Sequence, residues 1–400
     1  MSAILVLNAG SSSLKFALHG VEPDATGLPR RLLHGEIETL GTAPFFHAEA
    51  PDGTVIEQHR WEEEQEFDTL LAFLLDWCDA HQGGQKLIAA GHRVVHGGPD
   101  IWQPEKVTPA LLATLENLIP LAPLHQPHNL DPIRTLSPIR PGLPQVACFD
   151  TAFHHGMPRL SKLFALPRDY YKEGIRRYGF HGLSYDYVAR HLRCHHPELA
   201  KGRIVAAHLG NGASLCAMRD GQSMDTTMGF TATDGLMMGT RTGALDPGLV
   251  LHLIRERGMS PDAVDQLMNR ESGLLGVSGL SSDMRALLAS PEAAAEEAVA
   301  LFVRRVAQGI GAMTVELGGL DGIVFTGGIG HHAAPVRAAV CEKLALFGVT
   351  LDAAANDAGA EVVSAPSSTV PVLAIQTDEE AVIAAQTLAV VRPEALARRA

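Results

Sequence analysis

The apolar run Ile4-Leu-Val-Leu7 stops at Asn8 and a polar turn, Gly10-Ser-Ser-Ser13. A run this short between turn residues predicts a buried strand. Beyond the turn, Leu14, Phe16 and Ala17-Leu18 partly alternate with Lys15 and His19, which favours a second strand over a helix. A third apolar stretch follows around 32–40. The chain therefore opens as strand, turn, strand, turn, strand. The same pattern returns with Ile204–Ala207, the turn His208-Leu-Gly-Asn-Gly-Ala-Ser214, and Leu215–Met218 ending at Asp220-Gly221. Ser13-Leu14 with Gly20 matches Ser214-Leu215 with Gly221 at a constant offset of 201 residues (13 to 214, 20 to 221). Together these predict a duplicated core, although two unrelated Gly/Ser hairpins would show a similar pattern.

Farther on, 292–317 carries apolar residues at helical spacing (Val299, Phe302, Val303, Val306, Ile310) and ends at Gly318-Gly319. Ile323–Phe325 reads as a strand running into Thr326-Gly-Gly-Ile-Gly330, and Val372–Ile375 as another. Thr377 with Glu380 three residues on reads as a capping box for a helix reaching about Val391. Gly35, Asp52-Gly53 and Gly83-Gly84 read as loop punctuation. The mix is α/β, with glycine turns at strand ends, where such sheets place ligands.

Length and composition narrow the function. Four hundred residues exceed one hydrophobic core, so two domains are expected. The net charge of −13 argues against nucleic acid or an anionic membrane surface as partner, so an anionic ligand would need local cations. Five cysteines without a CxxC pair fit reduced thiols and a cytoplasmic location. No stretch reads as a signal peptide, nor as the ~18 apolar residues of a membrane span. His191, Cys194, His195 and His196 precede Pro197 and read as a solvated helix end, with no matching ligand pair in sight; His154-His155 reads the same way.

No GxxxxGK[ST] or protein-kinase loop set is present. Instead three Gly-rich turns follow strands: Asn8-Ala-Gly-Ser-Ser-Ser, Gly210-Asn-Gly-Ala-Ser and Gly327-Gly-Ile-Gly. Glycine there lets backbone N–H groups approach phosphate oxygens. Arg93 and Arg241 suit oxyanions because a guanidinium is permanently charged and forked, though either can equally form a surface ion pair. Asp150, after the strand-like 145–149, can hold a metal-bound water, orient Arg93 or cap the segment at Thr151.

Leu5-Val-Leu-Asn-Ala-Gly-Ser-Ser-Ser-Leu-Lys15 and Ala207-His-Leu-Gly-Asn-Gly-Ala-Ser-Leu215 resemble the two signatures of the acetate kinase family. Gly91-His-Arg-Val-Val-His-Gly-Gly98, Arg177-Tyr-Gly-Phe-His-Gly182 and Gly235-Leu-Met-Met-Gly-Thr-Arg241 match further family blocks in order, so the resemblance spans nearly the whole chain. It implies two domains with duplicated ribonuclease H-like (actin-like ATPase) cores and an interdomain cleft. The expected boundaries are 1–151 plus 382–400 for the first domain and 152–381 for the second. It also implies a homodimer, Mg²⁺ (or Mn²⁺), ATP/ADP and acetate as substrates, and acetyl phosphate as product.

By the same resemblance Asp150, His181 and Arg241 are catalytic, and Arg93 holds the carboxylate. Val95, Leu124, Phe180 and position 232 line the pocket for the methyl group. Asn8 and Glu379 approach the metal, while Lys15, His208, Gly210, Asn211 and Gly212 meet the nucleotide. Asp283, Met284, Arg285, Gly328, Ile329, Gly330, His331 and His332 surround adenosine. Two departures stand out: Ala232 where the family reads Pro, and His331-His332 where it commonly has Glu-Asn. A propionate or broader short-chain acid kinase is the neighbouring reading; an actin-like or chaperone-like ATPase is the more distant one.

Overall fold

Two sheets organise this computed structural model, which describes residues 2–24 and 26–393. The chain divides into a first unit, Met1–Ala152 together with the chain from Asp378, and a second, Phe153–Thr377. Of the segment expected to close the first domain, residues 394–400 lie outside the described residues.

In the first unit β1 (Ser2–Ala9), β2 (Ser13–Pro23) and β3 (Pro29–Glu38) form an antiparallel meander. It is extended outward by β4 (Phe45–Glu49) and β5 (Val55–Arg60). After α1 (Phe67–His81), β6 (Lys86–Val94) lies parallel to β1. The short β7 (Glu105–Lys106), α2 (Pro109–Asn117) and α3 (Gln126–Ile139) lead to β8 (Gln145–Phe149), parallel to β6. The order is β5-β4-β3-β2-β1-β6-β8-β7. Leu5, Leu7, Phe16, Phe46, Leu74 and Trp77 share one core under α1. The C-terminal helix, Glu379–Val391, packs on β1, β6 and β8. Covering a sheet on both sides explains why β1 reads as a continuous apolar run rather than an alternation.

Gly35 is a correction. It lies inside β3, not in a loop, because a Cβ there would meet the His47 carbonyl oxygen at 2.2 Å and the Phe16 ring at 2.6 Å. The capping box is a second correction. Asp378, not Thr377, caps the C-terminal helix by accepting from the Ala381 N–H at 2.9 Å, as a short carboxylate side chain does well.

The second unit contains α4 (Gly182–His195), then β9 (Arg203–Leu209), β10 (Ala213–Arg219) and β11 (Gln222–Thr226) as an antiparallel meander. After α5 (Ala293–Leu317), β12 (Gly322–Thr326) runs parallel to β9. Then come α6 (Gly327–His332), α7 (Ala334–Lys343) and β13 (Val372–Ala374), the last parallel to β12. The order β11-β10-β9-β12-β13 repeats β3-β2-β1-β6-β8 with the same strand directions. The duplicated core expected from the repeat is therefore present, in the ribonuclease H-like form the resemblance implies. β1 and β9 begin 201 residues apart (2 and 203), matching the sequence offset.

One helix qualifies the membrane reading. α5 is long and apolar enough to cross a bilayer by length and composition. It packs on β9 and β10, with Phe302, Val306 and Ile310 fully buried, so its apolarity belongs to the core of the second unit.

Candidate active site

In the first unit three strand ends bring polar groups together. Asn8 lies near the end of β1, Arg93 near the end of β6, and Asp150 just after β8. The Arg93 Nε donates to both Asp150 oxygens at 3.1 Å and Nη2 donates to Oδ2 at 2.6 Å, while Nη1 donates to Asn8 Oδ1 at 3.3 Å. Asp150 is 1% exposed, so of its three sequence readings the structure favours orientation of Arg93 over capping. Burial alone would disfavour the guanidinium charge, but Asp150 more than offsets it and Arg93 stays cationic. Glu379, half-buried in the first turn of the C-terminal helix, has its carboxyl pushed up to about 7 by burial. Asp150 and Glu380 add to that shift, and Arg93 and Lys15 oppose it. Lys15 itself is exposed on β2, paired in register with Asn8. Val95 is buried here, its N–H donating to Asn129 Oδ1 at 2.8 Å, and Leu124 is half-buried.

In the second unit the turn Gly210–Gly212 between β9 and β10 is the focus. His181 is the N-cap residue of α4 and holds a left-handed backbone, φ 58°. A non-glycine residue adopts that conformation only where its surroundings fix it. Here the His181 Nδ1 pairs with Ser214 Oγ at 2.8 Å, itself 2.5 Å from the Tyr185 hydroxyl. The His208 Nδ1 pairs with Ser184 Oγ at 2.8 Å, and the two rings stack with centroids 4.1 Å apart. With both Nδ1 atoms engaged, the Nε2 atoms point at the turn. A Cβ on Gly212 would come within 3.1 Å of His181 Nε2 and 3.9 Å of Arg241 Nη1, and one on Gly210 within 3.9 Å of His208 Nε2 and of the Gly328 nitrogen. Two imidazoles, a guanidinium and a backbone N–H thus surround glycines whose missing side chains leave room for an oxyanion. Arg241 is positioned by donation from Nη1 to the Ala232 carbonyl at 3.0 Å. Asn211 fixes the turn by accepting from the Gly239 N–H at 2.9 Å.

The remaining predicted residues fall into two groups. Gly328, Ile329, Gly330, His331 and His332 form α6, directly after β12. Asp283 caps the short helix Met284–Ala289 and pairs with the exposed Arg285 at 2.7 Å, while Met284 is buried. Phe180 is buried in the second unit, where Ala232 also lies, whereas Val95 and Leu124 belong to the first.

Sequence reasoning missed the supports. Ser184 lies just past one family block and Ser214 inside another, with nothing in either to mark them as supports for the histidines. Arg337, fully buried on α7, donates to the Gly330 carbonyl at 3.0 Å, to the His331 carbonyl and to Asn356 Oδ1 at 2.8 Å, so it fixes the α6 turn. His154 is a correction: it is fully buried, not solvated, with Nδ1 at 2.8 Å from Ser223 Oγ and Nε2 at 2.9 Å from the Phe180 carbonyl. It therefore braces the backbone that presents His181.

Burial drives the His154 pKa down to about 4 from 6.5. The unfolded chain takes up that proton first, so this contribution is full above about pH 6.5 and fades as pH falls toward 4. The stability gap between wild type and His154→Gln is expected to shrink by on the order of 3 kcal/mol across that window. Urea unfolding of both proteins at several pH values measures it; a pH-independent gap would contradict a neutral, buried His154.

Two ribonuclease H-like cores in one chain define the actin-like ATPase fold class. Within that class the relatives are specific. A family model described as the acetokinase family matches residues 3–385. An acetate kinase of Rhodopseudomonas palustris is 50% identical over 388 residues, covering 95% of this chain and 96% of its own. One from Rhizobium meliloti is 47% identical, covering 98% and 99%. Among solved structures, a propionate kinase from Francisella tularensis superposes with TM-score 0.89 at 36% identity, covering 98% of this chain and 100% of its own. The Porphyromonas gingivalis acetate kinase gives 0.86 at 37% identity with the same coverage. The chain belongs to the acetokinase family.

Proposed function

We propose that this chain is an acetate kinase, transferring the γ-phosphoryl of ATP reversibly to acetate, and that its two sets of polar residues divide the work. The observation that carries the reading is the concentration of His181, His208 and Arg241 around a glycine turn in a chain of net charge −13. A short carboxylic acid is already ionised at neutral pH, so no general base is needed. The obstacle is bringing one anion against another, which calls for fixed cations.

Arg93 binds the acetate carboxylate; Asp150 grips its Nε and Nη2 side and so sets the angle of the fork. His208 and the Gly210–Gly212 turn hold the nucleotide phosphates, and the α6 turn and the Asp283–Arg285 segment lie toward adenosine. His181 and Arg241 stabilise the equatorial oxygens of the phosphoryl group in flight. An acetate oxygen forms the new bond to phosphorus as the bond to the bridging oxygen of ADP breaks, and no proton changes place. The donors near Arg93 suit a hard divalent cation: all are oxygens, and a bound cation would favour the charged form of the Glu379 carboxyl, whose pKa burial raises first and Asp150 and Glu380 further. Asn8 and Glu379 would hold Mg²⁺, with Mn²⁺ accepted by the same donors. When bound, the ion neutralises phosphate charge. The expectation of a cytoplasmic homodimer rests on the family resemblance, and the exposed Leu249 and Leu251 are side chains that association would cover.

A hydroxamate assay with Mg-ATP and acetate, propionate or butyrate tests the reaction. Acid-dependent hydroxamate supports it, whereas ATP loss indifferent to any acid would leave an ATPase.

Ala232 favours a second reading of acceptor range. Its side chain is smaller than the proline common in the family, a difference that would leave more room for the acceptor's alkyl group and admit propionate. One methylene is worth only ~1–3 kcal/mol, so the ratio of kcat/KM for propionate over acetate is expected to fall about tenfold in Ala232→Pro. An unchanged ratio would remove Ala232 from the specificity argument.

A further inference from the structure

The helix end at 191–196 is not merely solvated. The fold brings Glu361 to it, 165 residues along the chain from His196. The Glu361 Oε1 lies 2.9 Å from His191 Nε2 and 2.7 Å from His196 Nε2, and the three potential ligand atoms all fall within 4.8 Å of one another.

We propose that His191, His196 and Glu361 form a binding site for a transition-metal ion of the zinc type, separate from the Mg²⁺ site of the reaction. Two imidazole nitrogens and one carboxylate oxygen are a borderline-soft set that suits Zn²⁺ and disfavours Mg²⁺. With metal–ligand bonds of about 2.0–2.1 Å, tetrahedral ligands stand roughly 3.3–3.4 Å apart. The two Glu361–imidazole pairs need to open by only about half an ångström, and the two imidazole nitrogens lie within 4.8 Å of each other, with solvent completing the shell.

Each ligand is held in place before any ion arrives. His191 projects from the last turns of α4, only 13% exposed, between the rings of Tyr187 at 6.1 Å and His195 at 4.5 Å. His196 is the C-cap residue, where the helix dipole favours positive charge. Glu361 is tied to β13 through its carbonyl, which accepts from the Ala374 N–H at 2.8 Å. An ion here clamps the far end of the helix whose N-cap residue is His181, and joins it to the sheet beyond α7. Its role is structural.

The test uses the full chain, stripped by chelator and titrated with ZnCl₂ in excess Mg²⁺. One saturable Zn²⁺ per chain and a rise in Tm are expected. Glu361→Gln and His196→Gln should each weaken Zn²⁺ binding by about 100-fold or more, more than loss of an outer-shell partner does. His195→Gln, at the same helix end and packed against His191 but outside the ligand set, should bind within a few-fold of wild type. Co²⁺ should give a tetrahedral visible spectrum that both ligand variants lose. No saturable binding overturns the proposal. So does wild-type affinity in the two ligand variants, which would put the ion elsewhere, for example at His331-His332, or loss of binding in His195→Gln.

Discussion

Arg241→Ala is expected to reduce kcat by about 10³–10⁵-fold, the range found when a charge-stabilising arginine is removed from a phosphoryl-transfer site. Nη1 of the guanidinium donates to the Ala232 carbonyl beside Gly212, at the turn proposed to hold the phosphates. Its interaction therefore strengthens as charge spreads over the transferring group, which raises the barrier when lost but hardly changes ground-state binding. KM for ATP should stay within a few-fold. Unfolding free energy should change far less than the activation barrier, since Arg241 is only half-buried. Hydroxamate kinetics and urea unfolding on the same preparation check both halves. A kcat within tenfold of wild type would take Arg241 out of the mechanism.

Arg93→Ala should damage stability and binding together. It strands Asp150, 1% exposed, next to a Glu379 carboxyl already raised by burial and neighbouring carboxylates. Breaking one side of a buried pair typically costs 3–5 kcal/mol; because Arg93 is 27% exposed, about 3 kcal/mol is expected. The KM for acetate should rise steeply because the fork that binds the carboxylate is gone. Arg93→Lys separates the two effects: it restores charge to Asp150 and most of the stability, but not the paired hydrogen bonds to the acid. The double variant Arg93→Ala/Asp150→Ala should be more stable than Arg93→Ala alone. If it is less stable, the carboxylate is not the source of the penalty.

The sequence made visible whatever depends on local pattern. The strands at 4–7, 204–207 and 323–325, the long helix at 292–317 and the repeat at 201 residues were all legible because period, turn chemistry and strand length act over a few residues. What escaped depends on neighbours distant in the chain. Gly35 looked like a turn because its constraint comes from Phe16 and His47 on adjacent strands. His154 looked solvated because nothing near it announces Ser223 or the Phe180 carbonyl. The histidines before Pro197 gave no sign of a partner because Glu361, backbone-bonded to β13, lies 165 residues on from His196. The Thr377 cap failed by one residue, where two good capping side chains stand side by side. Family motifs named His181 and His208, but not the hydroxyls that aim their rings.

The C-terminal helix has a consequence for biosynthesis. It packs so closely on β6 that a Cβ at Gly91 would strike Thr387 Oγ1 at 2.2 Å, and Cys148 Sγ lies 3.9 Å from the Ile383 carbonyl. The first unit is thus missing a face of its core until the helix Glu379–Val391 leaves the ribosome, while the second, Phe153–Thr377, is one uninterrupted segment. At about 5–20 residues per second, its 225 residues (153 to 377) take roughly 10–45 s to make. Over that interval the nascent N-terminal sheet waits half-covered. The part of the chain made first is the part that finishes folding last.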